Sequence, residues 1–239
     1  MRTARSRFGP GFLLVLGVLA LLPVATVAAS PVLITVGVPS AGTGKLYAPG
    51  TLVASGLTVY LGSSLITGGL GTFEGYCVDL RHYSGGSPEW AESDSMLNWG
   101  PPADPGIAGP SPRLGGGAAA WLYNTHAVGA NNTQRGALSL AIWNVLYDND
   151  NTVTGGTGFY VTNTPAALTD LASSWLRDYF DRGKPSADAM WVRTQNANGS
   201  YSQDYVGPAV PEPASMLLLG TGLFGLAGIV RRRARATKA

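Results

Sequence analysis

Val32, Leu33, Ile34, Thr35 and Val36 form a β-branched apolar run that predicts a first strand. A second is expected over 57–66, containing Val59, Tyr60 and Leu61 and ending at the turn Gly68-Gly69, and a third over 73–80. Residues 84–114 are rich in Gly, Pro, Ser and Asp and read as a long loop. The period then changes. A short helix is expected over 118–126, and 133–147 places Leu138, Ala141, Ile142, Val145 and Leu146 on one helical face. Thr164 is expected to cap a further helix whose first position is Pro165. Its apolar stripe is Leu168, Leu171, Ala172, Trp175, Leu176, Tyr179 and Phe180, with Gly183 and Pro185 ending it. Met190, Trp191 and Val192, and residues 201–206, read as closing strands. No internal repeat is visible. Strands, then helices, then strands without βαβ alternation imply an α+β fold. The expectation is one β-rich, sandwich- or barrel-like domain with two or three packed helices.

Both ends carry a different pattern. Arg2, Arg5 and Arg7 precede an apolar run over 12–22 that Pro23 breaks, and Val27, Ala28 and Ala29 offer a small-residue exit. This order describes a secretory signal over 1–29, cut by signal peptidase before Ser30. Its apolar core is too short to span a bilayer. At the other end Pro211, Glu212 and Pro213 precede an uncharged stretch over 214–230, followed by Arg231, Arg232 and Arg233. As a helix that stretch reaches about 26 Å, a marginal transmembrane span that local thinning and snorkelling arginines can meet. The arginines would hold the tail, 231–239, in the cytoplasm. The body over 30–208 is thus expected between two addressing segments.

Charge supports this division. The chain has 239 residues and a formal net charge of +2, which by itself hints at nucleic acid. Eight of its 16 basic residues lie in the two ends, however, so the remaining eight face 13 of the 14 acidic residues in the body. The body is near −5, which speaks against a nucleic-acid partner. One cysteine excludes a disulfide framework and a multi-cysteine zinc site, and two histidines leave little for a metal centre. No cofactor is implied.

From Pro211-Glu212-Pro213-Ala214-Ser215, through Leu217-Leu218-Leu219-Gly220-Thr221-Gly222-Leu223 to the arginines, the last thirty residues resemble the PEP-CTERM sorting signal. The resemblance implies recognition and cutting near the Pro-Glu-Pro element by an exosortase. Both prolines resist helix and keep that element extended, as a protease substrate must be. The chain would be exported, anchored transiently in the inner membrane with its body in the periplasm, and then sent to the cell surface or extracellular matrix. There its surroundings would be exopolysaccharide or another surface glycan.

Tyr76-Cys77-Val78-Asp79, followed by Leu140-Ala141-Ile142-Trp143 on a helix, resembles the thioester domain of bacterial surface adhesins. That resemblance implies a thioester between a cysteine and a glutamine that acylates amines on a target. Aligned on Ala141-Ile142-Trp143, the acyl position falls on Ser139, which has no acyl group to give. Gln134 is the nearest glutamine, five residues earlier and on a different helical face. The expectation is the scaffold without the bond, with a Cys77–Gln134 thioester adhesin as the alternative. A small buried thiol is the plain reading of Cys77.

The remaining chemistry is sparse. Asp148 and Asp150 alternate with asparagines as calcium ligands would, but Val153 stands where an EF-hand loop needs glycine. An Asn/Asp helix stop explains them more simply. Asp79 and His82 are close enough to meet a metal, with His126 unconstrained by spacing. A secreted hydrolase would need a polar pocket around one of the three; serines abound, but no nucleophile elbow is present. Trp90 and Trp99 lie in the expected loop and offer rings for a sugar, whereas Trp143 and Trp175 fall on helices and read as core. A non-enzymatic structural or binding protein is the reading these residues favour.

Overall fold

The computed structural model describes residues 31–39, 41–48, 53–80, 82–83, 88–99, 115–148, 150–155 and 158–209. The secretory signal, the Pro-Glu-Pro element, the apolar stretch over 214–230 and the arginines after it lie outside these residues. Among the described residues no helix is long and apolar enough to cross a membrane.

The first expected strand forms as β1 (Val32–Val36). It is followed by β2 (Gly42–Ala48), β3 (Val53–Leu61), β4 (Ser64–Gly68), β5 (Gly71–Cys77) and β6 (Glu89–Ser95). The helices are α1 (Gly116–His126), α2 (Asn132–Tyr147) and α3 (Ala166–Asp181), with β7 (Tyr160–Thr162) before α3 and β8 (Met190–Gln195) and β9 (Tyr205–Gly207) after it. Six strands close into an antiparallel barrel in the order β1-β4-β5-β9-β8-β6, and β3, β2 and β7 make a separate three-stranded sheet. The α+β, barrel-like expectation is realised with three helices.

Several boundaries differ from the sequence reading, each for a tertiary reason. The expected strand over 57–66 is two strands, because Gly62 turns the chain at φ 114° between β3 and β4. Part of the expected loop over 84–114 is β6, which pairs β1 on one side and β8 on the other. Its sequence, Glu-Trp-Ala-Glu-Ser-Asp-Ser, has little strand propensity, so the two neighbouring ladders make the strand. A 3-10 turn at Met96–Asn98 follows, capped by the Ser95 hydroxyl. Against it lies Gly116, where a Cβ would stand 2.0 Å from the Met96 carbonyl oxygen, so only glycine lets α1 start here. β2 and β7 have no clear signal in the sequence. Thr164 does not cap α3: its hydroxyl donates to the Thr162 carbonyl, and Pro165 holds the N-cap position.

α3 buries the predicted stripe through Leu168, Ala172, Leu176 and Tyr179. α2 differs: every residue from Gly136 to Tyr147 is buried, because the helix runs through the middle of the core rather than along its edge. Its start is fixed by a capping box, in which the Asn131 side chain accepts from the Gln134 amide while Gln134 Oε1 accepts from the Asn131 amide at 2.9 Å. One stripe of α2, with a residue every four positions, then ties the helix to the strands. Ser139 Oγ accepts from Gly62 N at 2.9 Å and donates to Gly62 O at 3.0 Å. Trp143 Nε1 donates to the Cys77 carbonyl at 2.8 Å. The Tyr147 hydroxyl donates to Val78 O at 3.0 Å and accepts from Leu80 N at 3.1 Å. Buried backbone groups beyond the end of β5 thereby find partners that no strand supplies.

Candidate functional site

At the end of β5 and just beyond it the chain is buried on both faces: Tyr76, Val78 and Asp79 are each at most 1% exposed, and Cys77 is 9% exposed. Cys77 and Tyr205 face each other as register partners in the β5–β9 ladder. Gln203, two residues before Tyr205, projects from the same side of the chain, and its Nε2 lies 2.8 Å from Cys77 Sγ. The Tyr205 hydroxyl donates to Gln203 Oε1 at 3.1 Å. The Cys77 thiol donates to the Asp79 carbonyl at 3.1 Å. A carboxamide is thus held by its oxygen on a phenol and by its nitrogen on a thiol. The amide carbon is one C–N bond further on, within about 4 Å of the sulfur.

These groups sit in a cleft of about 380 Å³. Asp79, His82 and Trp143 line it together with Cys77, Gln203 and Tyr205, and β3 and the chain after β1 form its other wall. His82 Nδ1 lies 2.5 Å from Asp79 Oδ2, so the carboxylate fixes the imidazole at this cleft. Burial first, and the Asp79 carboxylate second, push the Cys77 thiol far above the usual range. The sulfur is therefore a neutral thiol at physiological pH, not a standing thiolate.

Asp204 points the other way from Gln203. Its Oδ1 accepts from Thr194 N at 3.0 Å and its Oδ2 from Trp191 Nε1 at 3.1 Å. Burial nevertheless raises its carboxyl to about 7, helped by nearby Asp79. Folding therefore favours the protonated form. This stabilisation is complete below pH 3.8, the group's ordinary value, and is lost as pH rises through about 7. The difference amounts to roughly 4 kcal/mol. Denaturant unfolding of wild type and Asp204→Asn across that window is expected to show a stability difference that shifts in the variant's favour as pH rises. A pH-independent difference would contradict the assignment.

The structure sorts the other sequence-predicted residues. Gln134 is not brought to Cys77. Its side chain is committed to the cap, nine residues and about 13 Å of helix before Trp143, the residue that touches Cys77. Ser139 holds Gly62 instead of meeting the sulfur. Asp150 Oδ1 accepts from Asn144 Nδ2 at 2.7 Å and Thr152 N at 3.0 Å, and Asp148 Oδ2 accepts from Phe159 N at 2.8 Å, which makes both carboxylates turn-formers. Among the described residues no group of three or more His, Cys, Asp or Glu side chains is placed to hold a metal ion. Asp79 and His82 meet, whereas His126 stacks on Trp175 with centroids 4.1 Å apart, and its burial lowers its pKa. Trp99 is core, 3% exposed and edge-on to Tyr147, while Trp90 is 46% exposed. The sequence reading missed Gln203 and Tyr205. The available signal was arithmetic: the chain has three glutamines, Gln134, Gln195 and Gln203, and only the last adjoins a strand that pairs β5.

Residues 209–233 match the PEP-CTERM protein-sorting motif. No curated protein and no solved structure matches the chain. The motif makes the chain an exosortase substrate, exported and sorted by way of the membrane toward the cell surface. Pro211, Glu212 and Pro213 fall within it, as do Arg231, Arg232 and Arg233.

Proposed function

We propose that the exported body forms an internal thioester between Cys77 and Gln203 and uses it once, to bind covalently to a primary amine on a neighbouring surface. The observation that carries this reading is the Gln203 carboxamide seated on the Cys77 thiol with Tyr205 on its oxygen. Sγ adds to the amide carbon while the Tyr205 hydroxyl steadies the charge developing on Oε1. Once the adduct has formed and its nitrogen is basic, the proton that the thiol held toward the Asp79 carbonyl moves to that nitrogen, the C–N bond breaks, and ammonia leaves. A neutral thiol suits this step, since its proton is the one the leaving nitrogen needs. The fold has already met the entropic cost of bringing the two groups together, and burial keeps water from the bond once made.

An amine entering the cleft then adds to the same carbon. The C–S bond breaks, the amine's proton returns to sulfur, and an amide joins Gln203 to the target. His82, which Asp79 orients and which lines the same cleft, is assigned in this reading to relay that proton. One turnover makes the protein an adhesive element rather than an enzyme. In this reading signal peptidase frees the body into the periplasm, exosortase processes the tail, and the exopolysaccharide or biofilm matrix is where the protein works.

Intact mass of the exported chain, purified without amine buffers, tests the bond. Wild type is expected to be lighter than its mature sequence by one ammonia, and Cys77→Ala to have its full mass. A wild-type chain at full mass would sink the reading.

A further inference from the structure

A second cleft, of about 260 Å³, opens on the outer face of the barrel between Trp90, Trp191 and Tyr201. Its residues come into line through register. Trp90 of β6 is opposite Gln195 of β8, and Gln195 is bridged in turn to Tyr201. Directly opposed residues share a face, so these three form a row across three chain segments. Glu92 opposite Arg193 forms the next row, joined by an ion pair at 2.9 Å. Trp90 is 46% exposed and Tyr201 51%, while Trp191 beneath is 6% exposed and lies under the Arg193 guanidinium at 5.2 Å from its ring centroid.

We propose that this cleft binds a neutral hexose polymer. The two exposed rings stand two strand spacings apart, about 10 Å, a separation that lets each stack on the apolar C–H face of a different sugar ring of one chain. Between and beside them stand an amide, a carboxylate and a guanidinium, which are donors and acceptors for the hydroxyls around those rings. An apolar plate with polar groups at its rim is what a pyranose presents in complement. Arg193 is already paired with Glu92, so among the described residues that line the cleft no unpaired cation is offered to a uronate or sulfated chain. The buried tryptophan and the ion pair hold the floor rigid, which limits the ordering cost of binding. This inference does not depend on the thioester, since none of its residues lines the Cys77 cleft.

The test uses the full chain in a sugar-free detergent, with cellohexaose, maltohexaose and alginate as probes and tryptophan fluorescence as the readout. At least one neutral hexasaccharide is expected to bind, with its dissociation constant raised at least tenfold by Trp90→Ala and by Tyr201→Ala at unchanged melting temperature. Cys77→Ala should bind as wild type does, which separates this result from the fate of the thioester. No binding of either hexasaccharide at millimolar concentration, or equal binding by both variants, would overturn the proposal. Preference for alginate, or Trp90-dependent binding to phospholipid vesicles without sugar binding, would overturn it as well.

Discussion

Incubated with methylamine, the wild-type chain is expected to gain a methylamide at Gln203 and a free thiol at Cys77, while Gln203→Glu gains nothing. The two side chains differ by one group, yet their chemistry diverges completely. A carboxamide gives up ammonia once the nitrogen of its thiol adduct is protonated, and the 2.8 Å contact, in which Nε2 donates to the sulfur, sets the two groups side by side for that addition. A carboxylate has a carbon that resists addition and no comparable leaving group. It would also set a second negative charge near Asp79 in a buried site. Cys77→Ala must fail equally, since either partner alone makes no bond. Gln134→Glu should label as wild type does, because its side chain serves the cap of α2. Peptide mapping of the labelled chain reads all four outcomes. Labelling that survives Gln203→Glu, or that depends on Gln134, would remove Gln203 from the chemistry.

The largest effect on stability is expected at Trp143. Its side chain is 2% exposed, packs edge-on to Phe159, and donates the hydrogen bond that satisfies the Cys77 carbonyl. Trp143→Ala should cost about 3–5 kcal/mol through the cavity alone. The orphaned carbonyl adds to that, since an unsatisfied buried acceptor costs about 1–3 kcal/mol. Against a total of about 5–15 kcal/mol, much of the folded population would be lost. Trp143→Phe keeps most of the packing and loses the donor, so it should cost about 1–3 kcal/mol. It should also slow methylamine labelling, because Cys77 would no longer be held by its own carbonyl. Denaturant titration of the two variants separates packing from hydrogen bonding. Equal stability of wild type and Trp143→Phe would show that the indole N–H does not position the site.

Much of the fold was legible where the pattern is local. β1 falls on the residues the β-branched run predicts, and α3 buries the stripe that its spacing marks. The sequence pointed to a thiol strand and an Ala-Ile-Trp helix as related features, and the structure joins them through hydrogen bonds from Trp143 to Cys77 and from Tyr147 to Val78. β6 was not legible, because its polar residues become a strand only when β1 and β8 flank them. α2 read as amphipathic because its buried polar residues, Ser139 and Asn144, look like a solvent face until their partners are known.

What the chain's letters determine unaided is its sorting signal: the motif is contiguous, so order along the chain is enough to mark it. They also determine that a single thiol exists and that few glutamines could meet it. Which glutamine does so was decided by folding. Cys77 and Gln203 are 126 residues apart, and only the β5–β9 ladder, with Tyr205 in register opposite Cys77, brings them into contact. The same holds for Trp90 and Tyr201, which share a cleft through two strand pairings. Periodicity reports which face of an element is buried, whereas closing a barrel fixes which distant elements lie side by side.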